Sequence, residues 1–114
     1  LILENKKYYY AENEYFIKHK NGIYFVDFMY DEKIIEFYGT IFHADKRFYK
    51  HDDNPNPFDE NLKSKDIWDN DKRRINTIKE KGYKTLIIWE YDYLSDPIET
   101  IKKCKEFLYG EKNN

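Results

Sequence analysis

One cysteine, three prolines and four glycines among 114 residues exclude several protein classes at once. The lone Cys104 can form neither an internal disulfide nor a Cys-rich zinc site, so a secreted disulfide scaffold is ruled out and a reducing, cytoplasmic compartment is the expectation. With so little Gly and Pro, collagen-like and linker-like chains are ruled out too. Long apolar runs are also missing. Leu86 to Trp89 is among the longest, far short of the roughly 20 residues of a membrane helix, and no signal peptide opens the chain. A basic excess is lacking as well: 20 Lys and Arg stand against 22 Asp and Glu, a net charge of -2, which argues mildly against generic nucleic-acid binding.

Charge and aromatic rings are what the chain has in abundance. Charged residues make up 37% of it, yet 12 Tyr, 8 Phe and 2 Trp supply enough apolar area for one compact core, so the composition is that of a folded domain. The length fits a single domain spanning residues 1–114, with a segment at 1–14 that is hard to place and a polar tail at 110–114. Because the chain starts at Leu1, excision from a longer protein is expected. Charge is unevenly spread. Lys63 to Lys84 holds eight basic and four acidic residues, net +4, leaving the remainder at -6. A solvated helix face explains such a stretch, and so does a helix that contacts phosphates.

The pattern along the chain predicts a three-stranded antiparallel meander. Tyr15, Phe16 and Ile17 form a short strand, Asn21-Gly22 signals a hairpin turn, and Ile23 to Met29 is the return strand. A second turn at Tyr30-Asp31-Glu32 leads into Lys33 to Tyr38, and Gly39 permits a bend. The stretch 44–62, acidic and carrying Pro55 and Pro57, reads as a long surface loop. Ser64 or Asp66 caps a helix with Trp68, Ile75 and Ile78 on one stripe, ending at Gly82. Thr85 to Trp89 reads as a strand buried on both faces. Asp96-Pro97-Ile98-Glu99 starts a last helix to about Tyr109, with Ile98, Ile101, Cys104 and Leu108 inward. The expected fold is α+β or α/β with a mixed sheet.

Two acids interrupt apolar strands: Asp27 between Val26 and Phe28, and Glu36 between Ile35 and Phe37. Each is costly to bury unless paired. With the turn centred at Asp31 and Glu32, the two fall opposite or diagonal on neighbouring strands, where mutual repulsion would be relieved by Mg²⁺ or by Mn²⁺ in its place. An edge strand with its acids in water is the alternative. His43, at the end of the same element, could activate water, although taken alone it is an ordinary histidine, as are His19 and His51. Asp71 stands on the apolar stripe of the helix, where it can complement the dipole or orient a site residue. Glu90 follows the Leu86 to Trp89 run, at the carboxyl end of a strand where ligand sites gather; a solvent-facing acid is its alternative.

In order along the chain, Val-Asp-Phe-Met-Tyr (26–30), Ile-Ile-Glu-Phe-Tyr-Gly-Thr-Ile-Phe-His (34–43), Ile-Trp-Asp-Asn-Asp-Lys-Arg-Arg (67–74) and Lys-Gly-Tyr-Lys-Thr-Leu-Ile-Ile-Trp-Glu (81–90) resemble very-short-patch-repair-like endonucleases. The branch most similar is that of phage and giant-virus homing endonucleases, and the likeness covers about Tyr15 to Tyr93. It implies a restriction-endonuclease-like core that hydrolyses phosphodiester bonds of double-stranded DNA with Mg²⁺. On that likeness Asp27 and Glu36 bind metal and His43 is the general base or proton shuttle. Asp71 and Glu90 support them, while Lys65, Lys72, Arg73 and Arg74 meet DNA. The chain departs from the family where a lysine two residues after the acid becomes Tyr38, where the acid after Gly39 becomes Thr40, and where Asn-Pro becomes Asp45-Lys46. Some relatives add an N-terminal acid, for which Glu12 and Glu14 are candidates. A DNA-recognition domain elsewhere in a longer chain would supply affinity. The competing expectations are a nuclease-fold module that binds nucleic acid or protein without cutting, and a purely structural interaction domain.

Overall fold

The computed structural model describes residues 9–19 and 22–110, with side chains from Val26 onward. Three strands come first: β1 (Tyr9–His19), β2 (Gly22–Tyr30) and β3 (Lys33–Tyr38). They pair antiparallel in sequence, as the meander predicts. β1 extends well beyond Tyr15–Ile17, because its first residues pair across a break in register: Tyr9 and Tyr10 face Met29 and Phe28, while Tyr15 faces Val26. Lys20 and the Asn21 of the predicted turn lie outside the described residues, between the paired His19 and Gly22. The second hairpin closes through Asp31 at φ 56°, a left-handed conformation that a short polar side chain tolerates.

No helix or strand occurs from Gly39 to Lys63, in keeping with the predicted loop over most of that stretch. Helix α1 (Ser64–Glu80) then follows. Its cap is neither Ser64 nor Asp66. Lys63 takes that place, and Asp66 reaches back to accept the Lys63 N–H at 3.1 Å, while Ser64 is buried with its hydroxyl on the Asp53 carbonyl at 3.4 Å. The helix stops two residues before Gly82, whose φ of 94° turns the chain into β4 (Lys84–Trp89). β4 joins β3 in parallel, Lys33 to Lys84 through Tyr38 to Trp89, giving a four-stranded mixed sheet in the order β1-β2-β3-β4.

The expectation of a strand buried on both faces fails for β4, where only Ile88 is buried. It lies at the sheet edge, so its apolar run is half covered. β3 is an inner strand, between β2 and β4. Its Ile34 joins Val26, Met29 and Ile78 of α1 on one face, and its Ile35 joins Phe28, Ile88, Cys104 and Leu108 on the other. Cys104 and Leu108 belong to α3 (Pro97–Tyr109), so α1 and α3 cover opposite faces of the sheet in a small α+β fold.

A short helix α2 (Glu90–Ser95), absent from the sequence reading, links β4 to α3. The capping of α3 is as predicted, Asp96 accepting the Glu99 N–H at 3.1 Å. Its inner stripe is not. Ile98 is 83% exposed, and Thr100, Cys104 and Leu108 face inward. Thr100 takes the inner position because its hydroxyl bonds the carbonyls of Asp92 and Asp96, tying the two helices together. Among the described residues no helix is long and apolar enough to cross a membrane.

Truncating the middle of β3 should test this core. Ile35→Ala is expected to cost about 2–5 kcal/mol in urea unfolding, whereas Ile98→Ala should stay within about 0.5 kcal/mol. Equal losses would contradict the assigned inner stripe.

Candidate functional site

The two acids lie where β2 and β3 part. Extending the register of Phe28 with Ile35 by one pair sets Asp27 opposite Glu36, as the turn arithmetic predicted, but the backbone ladder ends at Phe28. Asp27 replaces the next rung with its side chain: Oδ2 accepts the Phe37 N–H at 2.8 Å. On its other flank the register of β1 breaks, so residues 11–14, which include Glu12 and Glu14, stand between pairs to Phe28 and Val26. Such irregularity beside a ladder re-aims a side chain out of the regular pleat.

Glu36 is 2% exposed, which removes the solvated-edge alternative. Its carboxylate receives Arg74 of α1 on both oxygens: Nε lies 3.2 Å from Oε2, and Nη2 donates to Oε1. Arg74 therefore points into the fold, where the sequence reading had it meeting DNA. Burial works against its charge, but the Glu36 carboxylate outweighs that and holds its pKa above the usual value. The positional match is regular. Ile78, Arg74 and Asp71 descend one face of α1 while Ile34, Glu36 and Tyr38 ascend one face of β3, since helix positions three or four apart share a side, as do alternate strand positions.

Asp71 is the third step of that match. Its Oδ2 lies 2.9 Å from Nδ1 of His43, both side chains half-buried. Since an ionised carboxylate only accepts, Nδ1 carries the shared proton and Nε2 is left as the basic nitrogen. Tyr38 stacks on the imidazole, ring centroids 3.8 Å apart and 5° from parallel, and meets Trp89 edge-on at 5.3 Å. The Tyr38 hydroxyl is buried, with no hydrogen-bond partner among the described residues. Burial first, then the charges of Asp71 and Glu36, push its pKa well above 10, so it stays a neutral phenol.

The turn that carries His43 is held from several directions. His43 N–H bonds the Gly39 carbonyl at 3.1 Å and Asp45 N–H the Thr40 carbonyl at 3.0 Å. Ala44, not Gly39, is the residue with positive φ, at 49°, and Trp68 of α1 clamps its carbonyl at 2.7 Å. Glu90 Oε1 accepts the Thr40 N–H at 2.9 Å. Buried Asp45 grips Arg47 through 2.8–3.2 Å bonds, and Arg47 reaches Asp92 of α2 at 2.6 Å. A cavity of about 490 Å³ opens at the carboxyl ends of β3 and β4, between Phe37, Tyr38, Gly39, Glu90, Tyr93 and Leu94.

The structure thus gathers Asp27, Glu36, Tyr38, His43, Asp71 and Arg74 at one end of β3 and sets Glu90 behind the His43 turn. Lys72 and Arg73 are exposed on α1, Arg73 donating to Asn70, and Lys65 lies 3.8 Å from Asp52. Sequence reasoning missed Arg74 as a partner of Glu36 and missed Arg47 entirely. The spacing of Arg74, three after Asp71 and four before Ile78, was the available signal.

A divalent cation held by both Asp27 and Glu36 fits only half of this arrangement. Asp27 offers a carboxylate engaged by one neutral N–H, whereas a cation at Glu36 competes with a guanidinium on both oxygens. No group of three or more His, Cys, Asp or Glu side chains suited to a metal is found among the described residues. Comparison of the chain with family models, curated proteins and solved structures finds no match to any of them.

The Asp45 anchor has a pH signature. Hydrogen bonds from Arg47 hold the Asp45 carboxyl below its usual value. A depressed folded pKa supplies stability that is complete above the unfolded value near 4 and is lost as pH falls through the folded one. Asp45→Asn should therefore lower the urea midpoint at pH 7 and flatten its fall below about pH 4. An acid limb identical to that of the wild type would contradict the anchor.

Proposed function

We propose that this domain is a divalent-cation-dependent DNA endonuclease of the very-short-patch-repair-like type, with a restriction-endonuclease-like core. The observation that carries this reading is the carboxylate-oriented imidazole, His43 on Asp71, set against Tyr38 at the strand end where Asp27 leaves the ladder. Phosphodiester hydrolysis needs a base within reach of water and positive charge on the phosphoryl oxygens.

In this reading Asp71 fixes the His43 tautomer and ring plane, and Nε2 takes a proton from water as the water oxygen bonds to phosphorus, while the opposite P–O ester bond breaks and the departing sugar oxygen takes its proton from solvent. Stacking on Tyr38 prevents the ring from tilting away. Asp27 would hold Mg²⁺, or Mn²⁺ in its place, which would supply Lewis acidity toward the phosphate. Lys72 and Arg73 are exposed on one helix, with Lys65 at its start, and give the DNA backbone a basic strip in an otherwise acidic domain.

The second reading, a nuclease-fold module that binds without cutting, is favoured by the closure of Glu36 by Arg74, which leaves one acid fewer for a metal. Supercoiled plasmid with Mg²⁺ separates the two. Wild type should nick or linearise it, His43→Ala should lose roughly 10²–10⁴-fold in rate, and Asp27→Ala should lose cleavage and its Mg²⁺ dependence. Salt-sensitive duplex binding by a wild type that never cuts would establish the second reading; cleavage by Asp27→Ala at the wild-type rate would sink the role of that acid.

A further inference from the structure

We infer that Glu36 is the fixed counter-ion of Arg74 and not a ligand of the catalytic cation, and that the pair is a positioning device which locks α1 to β3 so that Asp71 meets His43. The inference deepens the proposed function, whose site it shares, and rests on that reading only where it speaks of the cation.

Three observations carry it. Both Glu36 oxygens are engaged by one guanidinium, through two nitrogens, a forked geometry that leaves no lone-pair direction pointing at Arg74 unused. The pair lies deep: the Glu36 side chain is 3% exposed and that of Arg74 is 24%. A carboxylate so buried is strongly destabilising when its partner is removed, whereas loss of both charges together is tolerated. Finally, the pair stands between two other contacts of α1, Ile78 with Ile34 of β3 on one side and Asp71 with His43, in the turn after β3, on the other. Rotation of α1 by one residue would swing about 100° and break all three contacts, so the buried pair sets the helix phase on which the His43 tautomer depends.

The alternative is that a cation expels Arg74 and takes Glu36 together with Asp27. A double-mutant cycle combined with metal titration decides between them. Glu36→Gln, Arg74→Met, the double variant and Asp27→Asn are made in the 114-residue chain and followed by thermal unfolding, by Mn²⁺ titration through water-proton relaxation, and by imidazole ¹⁵N NMR, which reads the His43 tautomer. Each single variant of the pair should lower Tm by roughly 10 °C or more, and the double variant should recover a large part of that loss. Mn²⁺ affinity of the double variant should stay within about twofold of wild type, while Asp27→Asn should lose tenfold or more. His43 in wild type should hold the Nδ1–H tautomer, and Arg74→Met should lose that preference, because displaced Asp71 no longer accepts from Nδ1. The double variant also covers the case in which either single variant fails to fold.

Additive effects in the cycle would overturn the lock, and so would an unchanged His43 tautomer. Loss of Mn²⁺ by the folded double variant to the extent seen for Asp27→Asn would overturn the exclusion of Glu36 from the metal. A wild type that binds no Mn²⁺ would remove the cation from the proposed function while leaving the lock to be judged by the cycle and the His43 tautomer alone.

Discussion

A carboxylate in the middle of a central strand, with apolar neighbours along the chain and a helix packed over it, needs a cation, and Arg74 of α1 supplies it to Glu36. Much else about this end of the fold follows from that pairing. A step of two residues along β3 is about 6.6–6.8 Å, and three or four residues of α1 rise about 4.5–6 Å, so helix and strand keep pace over three contacts before drifting apart. Ile34 with Ile78 is the apolar step, Glu36 with Arg74 the charged one, and Tyr38 with the Asp71–His43 pair the step that meets solvent. Polarity thus rises toward the carboxyl end of the strand, and the candidate site sits at the exposed end of that gradient.

The His43 turn is pre-organised by contacts that differ in kind. Backbone bonds shape it, the Trp68 indole pins the carbonyl of Ala44 in its unusual conformation, and acids from α2 reach it, Glu90 directly and Asp92 through Arg47. Positive φ at a non-glycine residue persists only where the surroundings over-determine it, and such places cluster at working sites. Here α1 and α2 converge on a turn of about half a dozen residues, which fixes the imidazole from both sides. The short helix α2 thereby acquires a purpose beyond linking β4 to α3.

The elements that the sequence disclosed are those with a local signal. The Asp31-Glu32 turn, the β3 alternation and the Asp96-Pro97 cap each depend on neighbouring residues, and each stands where it was read. Asp27 and Glu36 were conspicuous because an acid inside an apolar strand violates its own surroundings. Their neighbours were hidden for the opposite reason. Arg74 merged into a run of basic residues, and only its spacing from Asp71 and Ile78 betrayed an inward direction. The apolar run of β4 could not reveal that it ends up at the sheet edge, because neighbour order is a property of the whole sheet. α2 escaped because its six residues are all exposed, so no periodic burial marks them, and Ile98 misled because a first-turn residue can overhang the end of the core.

With Glu36 neutralised by Arg74, Asp27 and Asp71 are the further carboxylates whose charge is felt by the Tyr38 phenol, which burial and these acids keep protonated. Such a site repels a phosphodiester as it stands. Asp71 is paired with His43 and Asp27 accepts one backbone N–H, and in the proposed function the imidazole is neutral when it acts as a base. In the proposed function, an acid held by a single N–H on an opened strand, next to a base that works in its neutral form, has the polarity at which a divalent cation would change the sign of the local field, so that the same groups could receive a polyanion. Under the proposed function the mild acidity of the whole chain and a nucleic-acid substrate would be compatible: the basic strip on α1 would meet the backbone at a distance, and the proposed cation would meet the reacting phosphate.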